Sequence, residues 1–152
     1  MRDRADIYVI FYENALKSLK AHGILGFICS DRWMKNRYGE QLRSFISTNY
    51  HLKTYVDMVG ADAFQKDVIA YTGVTIISKS KPAPTKVAKV SEIDKEQLKK
   101  LYNEITIDSI PSSSIYQVSL IQGTAPWVFD DSEQTSLLRR IENHYPLIES
   151  TG

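Results

Sequence analysis

Three short apolar segments constrain this chain most: Ile24–Cys29, Leu52–Val59 and Thr72–Ser78, each of strand length and two of them preceded by a helical pattern. Over residues 5–22, Tyr8, Phe11, Tyr12, Ala15 and Leu19 recur at three- and four-residue spacing, one stripe of an amphipathic helix. Gly23 stands where a left-handed residue would close that helix. Ile24–Cys29 is a nearly unbroken apolar run, which suits a strand covered on both faces, as in a parallel sheet. A second helix is expected over 38–49, with Leu42, Phe45 and Ile46 on its apolar stripe. Leu52–Val59 alternates as a strand does, and Thr72–Ser78 supplies a third after a loop beginning at Gly60. The order helix–strand–helix–strand–loop–strand predicts an α/β architecture. It also looks incomplete, because the first helix has no strand before it as a partner.

Pro82-Ala-Pro84 marks a change of composition, which divides the chain into residues 1–81 and an extension, 82–152. Within the extension the pattern predicts a short strand at Thr85–Val90 and a charged helix at Asp94–Asn103. A loop at Ser109–Ser114 and a last helix at Ser132–His144 follow. This part has too few apolar residues to bury a strong core alone.

Composition narrows the classes. Hydrophobic residues are 43% and charged residues 24% of the 152, ordinary globular usage, so neither a disordered tail nor a disulfide scaffold is expected. Nineteen Lys+Arg against eighteen Asp+Glu give a net charge of +1, so bulk charge identifies no partner. No apolar stretch approaches the roughly 20 residues a membrane helix needs. The opening Met-Arg-Asp-Arg does not resemble a signal peptide, and Cys29 has no internal disulfide partner. A cytoplasmic location, with no membrane partner, is the expectation.

Complete catalytic motifs are missing from the sequence. It contains no G-x-G turn and no P-loop. His22, His51 and His144 lie far apart, and one cysteine cannot build a zinc site, so no metal is expected. Ser30 and Ser114 lack the small-residue elbow of a hydrolase nucleophile.

Three clusters remain. The stripe Tyr8, Phe11, Tyr12 reads first as core packing. Ser30–Gly39 follows the first strand, where open parallel sheets gather their ligands. Around it, Arg32, Lys35, Arg37, Arg43 and Lys53 stand against Glu40 alone, a patch that could neutralise phosphates or simply be a solvated basic face. Gly60–Asp67 places Phe64 in a polar loop, either tucked into the core or offered as a platform for a planar ligand such as a base.

In their order, several stretches resemble the C-terminal part of the catalytic domain of gamma-class adenine-N6 DNA methyltransferases, above all the type IIG restriction–modification enzymes. They are Ala5–Phe11 with its helix to Gly23, Gly26–Trp33, Tyr38–Arg43, and Ala63–Val68 leading into Thr72–Ser78. Pro126–Phe129 with Leu137–Glu142 is similar to the segment leading toward the family's target-recognition domain. The resemblance implies the later strands of a Rossmann-like S-adenosylmethionine-dependent methyltransferase sheet, its last pair antiparallel. It implies S-adenosylmethionine as cofactor and double-stranded DNA as partner. Phe11, with Tyr8 and Asp6, would lie near the cofactor; Phe64 would pack against a flipped adenine; and Arg32, Lys35, Arg37 and Lys66 would contact DNA. The family's glycine turn and Pro-Pro motif would precede residue 1. No catalytic residue is therefore expected within the chain, and the isolated fragment should be inactive and prone to self-association. Where Ser30 stands, the family often has proline. The alternatives are a non-enzymatic DNA-binding or assembly subunit using the basic 32–53 face, and a truncated nucleotide-binding α/β domain of another class.

Overall fold

The computed structural model describes residues 6–59, 61, 71–90, 92, 94–106, 115–119, 121 and 123–129. Phe64 and Lys66, the Ser109–Ser114 loop and the expected helix at 132–144 lie outside the described residues.

The elements follow the order helix α1 (Ile7–Lys17), strand β1 (Ile24–Ser30), a single turn α2 (Arg32–Lys35), a 3-10 turn at Arg37–Gly39 and helix α3 (Glu40–Asn49). Strands β2 (His51–Asp57), β3 (Thr72–Ser78) and β4 (Thr85–Lys89), helix α4 (Lys95–Thr106) and strand β5 (Ile115–Val118) complete it. They form one five-stranded sheet in the order β1-β3-β2-β4-β5. β3 lies between β1 and β2 and is antiparallel to both. β4 runs parallel to β2, and β5 returns antiparallel to β4. The mixed α/β architecture and the antiparallel last pair of the methyltransferase-like sheet are as expected.

Helix α1 is shorter than the 5–22 stripe. Its chain leaves the helix at Ser18, whose hydroxyl donates to the Asn14 carbonyl at 2.8 Å, a local bond that competes with the helical ladder. The left-handed residue after the helix is His22 (φ 61°), not Gly23. Gly23 serves a different need, since a Cβ there would lie 2.9 Å from the Lys20 carbonyl oxygen.

The reading of β1 as a parallel strand covered on both faces is corrected. β1 pairs antiparallel with β3 and forms one edge of the sheet. Burial alternates along it, with Ile24 59% and Ile28 61% exposed on one face, and Leu25, Phe27 and Cys29 packed on the other. An apolar run signals strand length, but it does not report which faces are covered.

The main core lies on that packed face. Tyr12 and Leu16 of α1, Leu42 and Ile46 of α3, and Tyr55, Ile77 and Val87 of the sheet are buried together. Phe27 and Trp33 flank the Tyr12 ring at 4.4 and 5.2 Å between centroids, and its hydroxyl meets Thr75 Oγ1 at 2.6 Å. On the opposite face, Leu101 and Ile105 of α4 cover Val56, Ala88 and Ile115.

Two features were not foreseen. β5 is too short to stand out as a pattern. Trp127 and Phe129 are buried in the main core, where Trp127 packs on Trp33 and Phe129 on Tyr55. The Trp127 backbone N–H donates to the Met34 carbonyl at 2.8 Å, so residues beyond Pro82 supply two strands of the sheet and also part of the core packed on it.

Candidate functional site

At the carboxyl ends of β1 and β2, the chain turns from Ser30 through α2 and the 3-10 turn into α3. Two buried groups hold this turn. The Asp31 side chain is almost wholly buried and accepts bonds from Lys35 Nζ at 2.9 Å and the Tyr55 hydroxyl at 3.2 Å. Its backbone N–H donates to the Tyr71 carbonyl at 2.8 Å, which fastens the start of the turn beside β3. Arg43 sits on α3 and fills the inside of the turn. Its guanidinium donates to the carbonyls of Trp33 (2.6 Å), Asn36 (2.8 Å) and Thr124 (2.9 and 2.7 Å). A planar fork of five donors suits such a cluster of acceptors. Burial pulls the Arg43 pKa down, and nearby Glu40 partly opposes that. Gly39 lets the turn close, because a Cβ there would stand 1.8 Å from the Trp33 carbonyl oxygen.

A second network joins the start of α1 to the same turn. The Tyr8 and Tyr38 hydroxyls are 2.5 Å apart, and Tyr38 donates to Asp6 Oδ2 at 3.2 Å. With the Tyr38 proton directed at the carboxylate, Tyr8 donates to Tyr38. Burial raises the pKa of both phenols, and the bonds to Tyr38 and Asp6 raise that of Tyr8 further. Both rings therefore stay neutral as hydroxyl donors. Asp6 is the N-cap residue of α1, but its side chain does not cap the helix and accepts from Tyr38 instead. Beneath this network, burial pushes the Cys29 thiol up to about 11, with the Tyr12 hydroxyl opposing the shift and Asp31 adding to it. Such a thiol is a packing group and a poor nucleophile at neutral pH.

The aromatic stripe therefore divides. Tyr12 is fully buried core, Tyr8 is half-buried in the hydroxyl network, and Phe11 is 56% exposed beside exposed Ile7 and Ile10. Asp6, Tyr8 and Phe11 share the first turns of α1, and the hydroxyl network connects them to the turn bearing Arg32, Lys35 and Arg37.

The basic 32–53 face is not the single patch that its composition suggests. Arg43 is buried and committed to carbonyls, so it is removed from that face. Lys35 is paired with Asp31. Arg32 is exposed, with its guanidinium 4.3 Å over the Tyr71 ring, and Arg37 is exposed. Lys53 belongs to the other end of β2.

The sequence pointed to the Ser30–Gly39 loop and to Arg43 as a surface cation, but not to the inward roles of Asp31, Tyr38, Gly39 and Arg43, and Tyr71 was missed. The spacing Tyr38-Gly39 followed by Arg43, four residues after the glycine, was the available signal. Among the described residues, no group of His, Cys, Asp and Glu is arranged to hold a metal ion. None of the described helices is long and apolar enough to cross a membrane.

Known proteins match both the sequence and the fold. The profile of the Eco57I restriction–modification methylase family matches residues 1–64. Over the whole chain, the sequence is 44% identical to the type II methyltransferase M.PaeR7I of Pseudomonas aeruginosa, of which it covers 27%. It is 36% identical, over 99% of its length, to M.XhoI of Xanthomonas vasicola, of which it covers 29%. The chain thus spans a little over a quarter of the length of these relatives. In fold it is similar to a modification subunit of a type I restriction enzyme from Vibrio vulnificus, with a TM-score of 0.66 at 9% identity over 76% of this chain and 28% of that one. It is also similar to the type IIG restriction endonuclease BpuSI, with a TM-score of 0.62 at 14% identity over 78% of this chain and 15% of that one. From end to end, then, this chain is similar in sequence to a portion of the type II methyltransferases, and its mixed sheet is shared with restriction–modification proteins.

Proposed function

We propose that this chain is the C-terminal portion of the catalytic domain of a site-specific DNA adenine-N6 methyltransferase, with residues 82–152 leading toward a target-recognition domain. The observation that carries the reading is end-to-end identity with type II methyltransferases in a chain that spans about a quarter of their length. The geometry at the carboxyl end of β1 supports it. Phe11 offers an exposed aromatic face suited to a purine ring, and the Tyr8 hydroxyl and Asp6 carboxylate lie on the same first turns of the helix. These three residues fit S-adenosylmethionine and would hold it, and when bound it supplies an electrophilic methyl group.

The chemistry explains why such an enzyme extrudes its target. An amine inside the base stack is out of reach, and extrusion costs a few kcal/mol of unstacking. Aromatic walls recover part of that cost, the role we assign to Phe64. Arg32, Arg37 and Lys66 would neutralise phosphates around the extruded base, with Lys35 held partly in reserve by Asp31. Holding the base is separate from activating its amine. We assign that second task to residues outside this chain, so the isolated fragment is inactive.

Transfer of label from S-adenosylmethionine to unmethylated DNA tests the reading, with this chain compared against the product of the open reading frame extended upstream. Label on adenine with the longer protein only is the expected result. Label with neither protein would favour the non-enzymatic DNA-binding or assembly subunit.

A further inference from the structure

The end of the sheet opposite the candidate site is built from three converging segments: the α1–β1 connection, the start of β2 and the β3–β4 connection. Ile24 and His51 both face Ser78 across the sheet. The Lys79 N–H donates to the Gly23 carbonyl at 2.9 Å, and Lys79 Nζ donates to the Leu19 carbonyl at 2.8 Å. A ring nitrogen of His51 meets the Pro84 carbonyl at 3.1 Å, and the Tyr50 hydroxyl donates to the Leu16 carbonyl at 3.0 Å. The segments are thus tied to one another by bonds to backbone carbonyls, one of them from the Lys79 ammonium, which leaves Lys20, Lys53 and Lys81 to face outward.

Those charges share one sign. Lys20, Lys53, Lys79 and Lys81 are all exposed here, with His22 and His51 beside them. Lys53 projects at a bulge, where the β2–β3 register shifts between Leu52 and Thr54. Segments 18–23, 49–54 and 78–84 contain no Asp or Glu. Among the described residues, Lys20, Lys53 and Lys81 have no carboxylate within ion-pair distance; Glu13 is committed to Lys17. Among the described residues, this end of a chain of net charge +1 therefore concentrates lysines without a carboxylate partner.

We propose that this lysine end is a second DNA contact, which holds the phosphate backbone of a duplex without regard to sequence. Duplex phosphates are favoured over an acidic protein surface by the residue types. Protein interfaces are depleted in lysine and rely on apolar, aromatic or arginine anchors. The charges of this cluster are lysine and histidine with no arginine, its aromatics Tyr50 and Phe45 pack inward, and Ile24 is the one exposed large apolar side chain among its described residues. A strand of seven residues separates it from the candidate site by about 20 Å. A duplex seated at one end would therefore not cover the other, unless it bends or a second segment is engaged.

Binding of a labelled duplex of random sequence to this chain, titrated across salt concentrations, tests the proposal. The K20Q/K53Q/K81Q variant should flatten the slope of log affinity against log salt by about 2 to 3 units, because three fewer counterions are released. The charge-matched K95Q/K99Q/K100Q variant, on α4, should leave the slope nearly unchanged, and K20R/K53R/K81R should retain it. Equal flattening by both glutamine variants would reduce the effect to bulk charge and overturn the proposal, as would an unchanged slope. Tighter capture of poly-glutamate than of duplex would overturn it in favour of an acidic protein partner. The readout is equilibrium binding, so failure here leaves the methyltransferase reading standing, and failed methyl transfer leaves this one standing.

Discussion

The two ends of the sheet are made from the same kinds of connection, yet they spend their charges in opposite ways. At the carboxyl ends of β1 and β2, Arg32, Lys35, Arg37 and Lys89 share space with Asp6, Asp31, Glu40 and Asp57. There the polar groups are turned inward: Asp31 and Arg43 are buried, and Tyr8, Tyr38 and Asp6 bond to one another. At the other end Lys79 is tied to the Leu19 carbonyl, while Lys20, Lys53 and Lys81 have no carboxylate partner among the described residues. Charge counted along the sequence placed the basic surface at 32–53. Charge placed in three dimensions divides that region: Asp31 and Arg43 are buried within it, Arg32 and Arg37 stay exposed on it, and Lys53 belongs to the far end.

The sharpest way to break this contrast is at Gly39. A side chain there must displace the Trp33 carbonyl, which is backbone and cannot swing aside. Gly39→Ala should cost about 4 kcal/mol, at the upper end for a single overpacked site. Urea denaturation measures it. A loss below about 1 kcal/mol would mean that the turn can open without penalty and is not a fixed scaffold.

Arg43→Ala comes next. It takes the guanidinium donor from the carbonyls of Trp33, Asn36 and Thr124, leaving Asn36 the Gly39 N–H, at an expected cost of about 3 kcal/mol. Arg43→Lys should recover less than half, because an ammonium cannot span the same acceptors as a planar fork. Full recovery by lysine in the same denaturation series would show that Arg43 acts through its charge and belongs with the surface cations after all.

How far these features were legible differs with their physical origin. α1, α3 and the first four strands follow local periodicity, and their positions were readable to within a few residues. β1's neighbour was not, because edge and interior strands present the same apolar run. The core role of Trp127 and Phe129 depends on contacts with Trp33 and Tyr55, far away in sequence, and no window of neighbouring residues contains it. Arg43 misled for a related reason: a cation inside an amphipathic helix reads as surface unless its acceptors are known. Asp6, Tyr8 and Phe11 were correctly grouped on one helix, but the bond from Tyr8 to Tyr38 spans 30 residues and gave no local sign.

Tyr38→Phe sharpens the comparison at smaller cost. It removes one hydroxyl that joins the helix start to the basic turn, and should destabilise the chain by about 1 kcal/mol. Tyr8→Phe should cost a similar amount, and the double variant little more than either alone, since the two hydroxyls share one bond. Strict additivity in that cycle would mean that the pair is not a working link, and that the two halves of the site end are held independently.

The smallest effect is expected at the lysine end, and its smallness is the point. K20Q/K53Q/K81Q breaks no side-chain hydrogen bond or ion pair among the described residues. It also relieves repulsion among like charges, so stability should change by no more than about 0.5 kcal/mol. Any gain should appear at low salt and fade as screening shortens the reach of each charge to about 8 Å near physiological ionic strength. A loss above about 1 kcal/mol would make these lysines part of the scaffold and erase the difference between the two ends. A neutral or slightly stabilising result, set beside a flattened salt dependence of duplex binding, would mean that Lys20, Lys53 and Lys81 are three exposed cations the fold does not need.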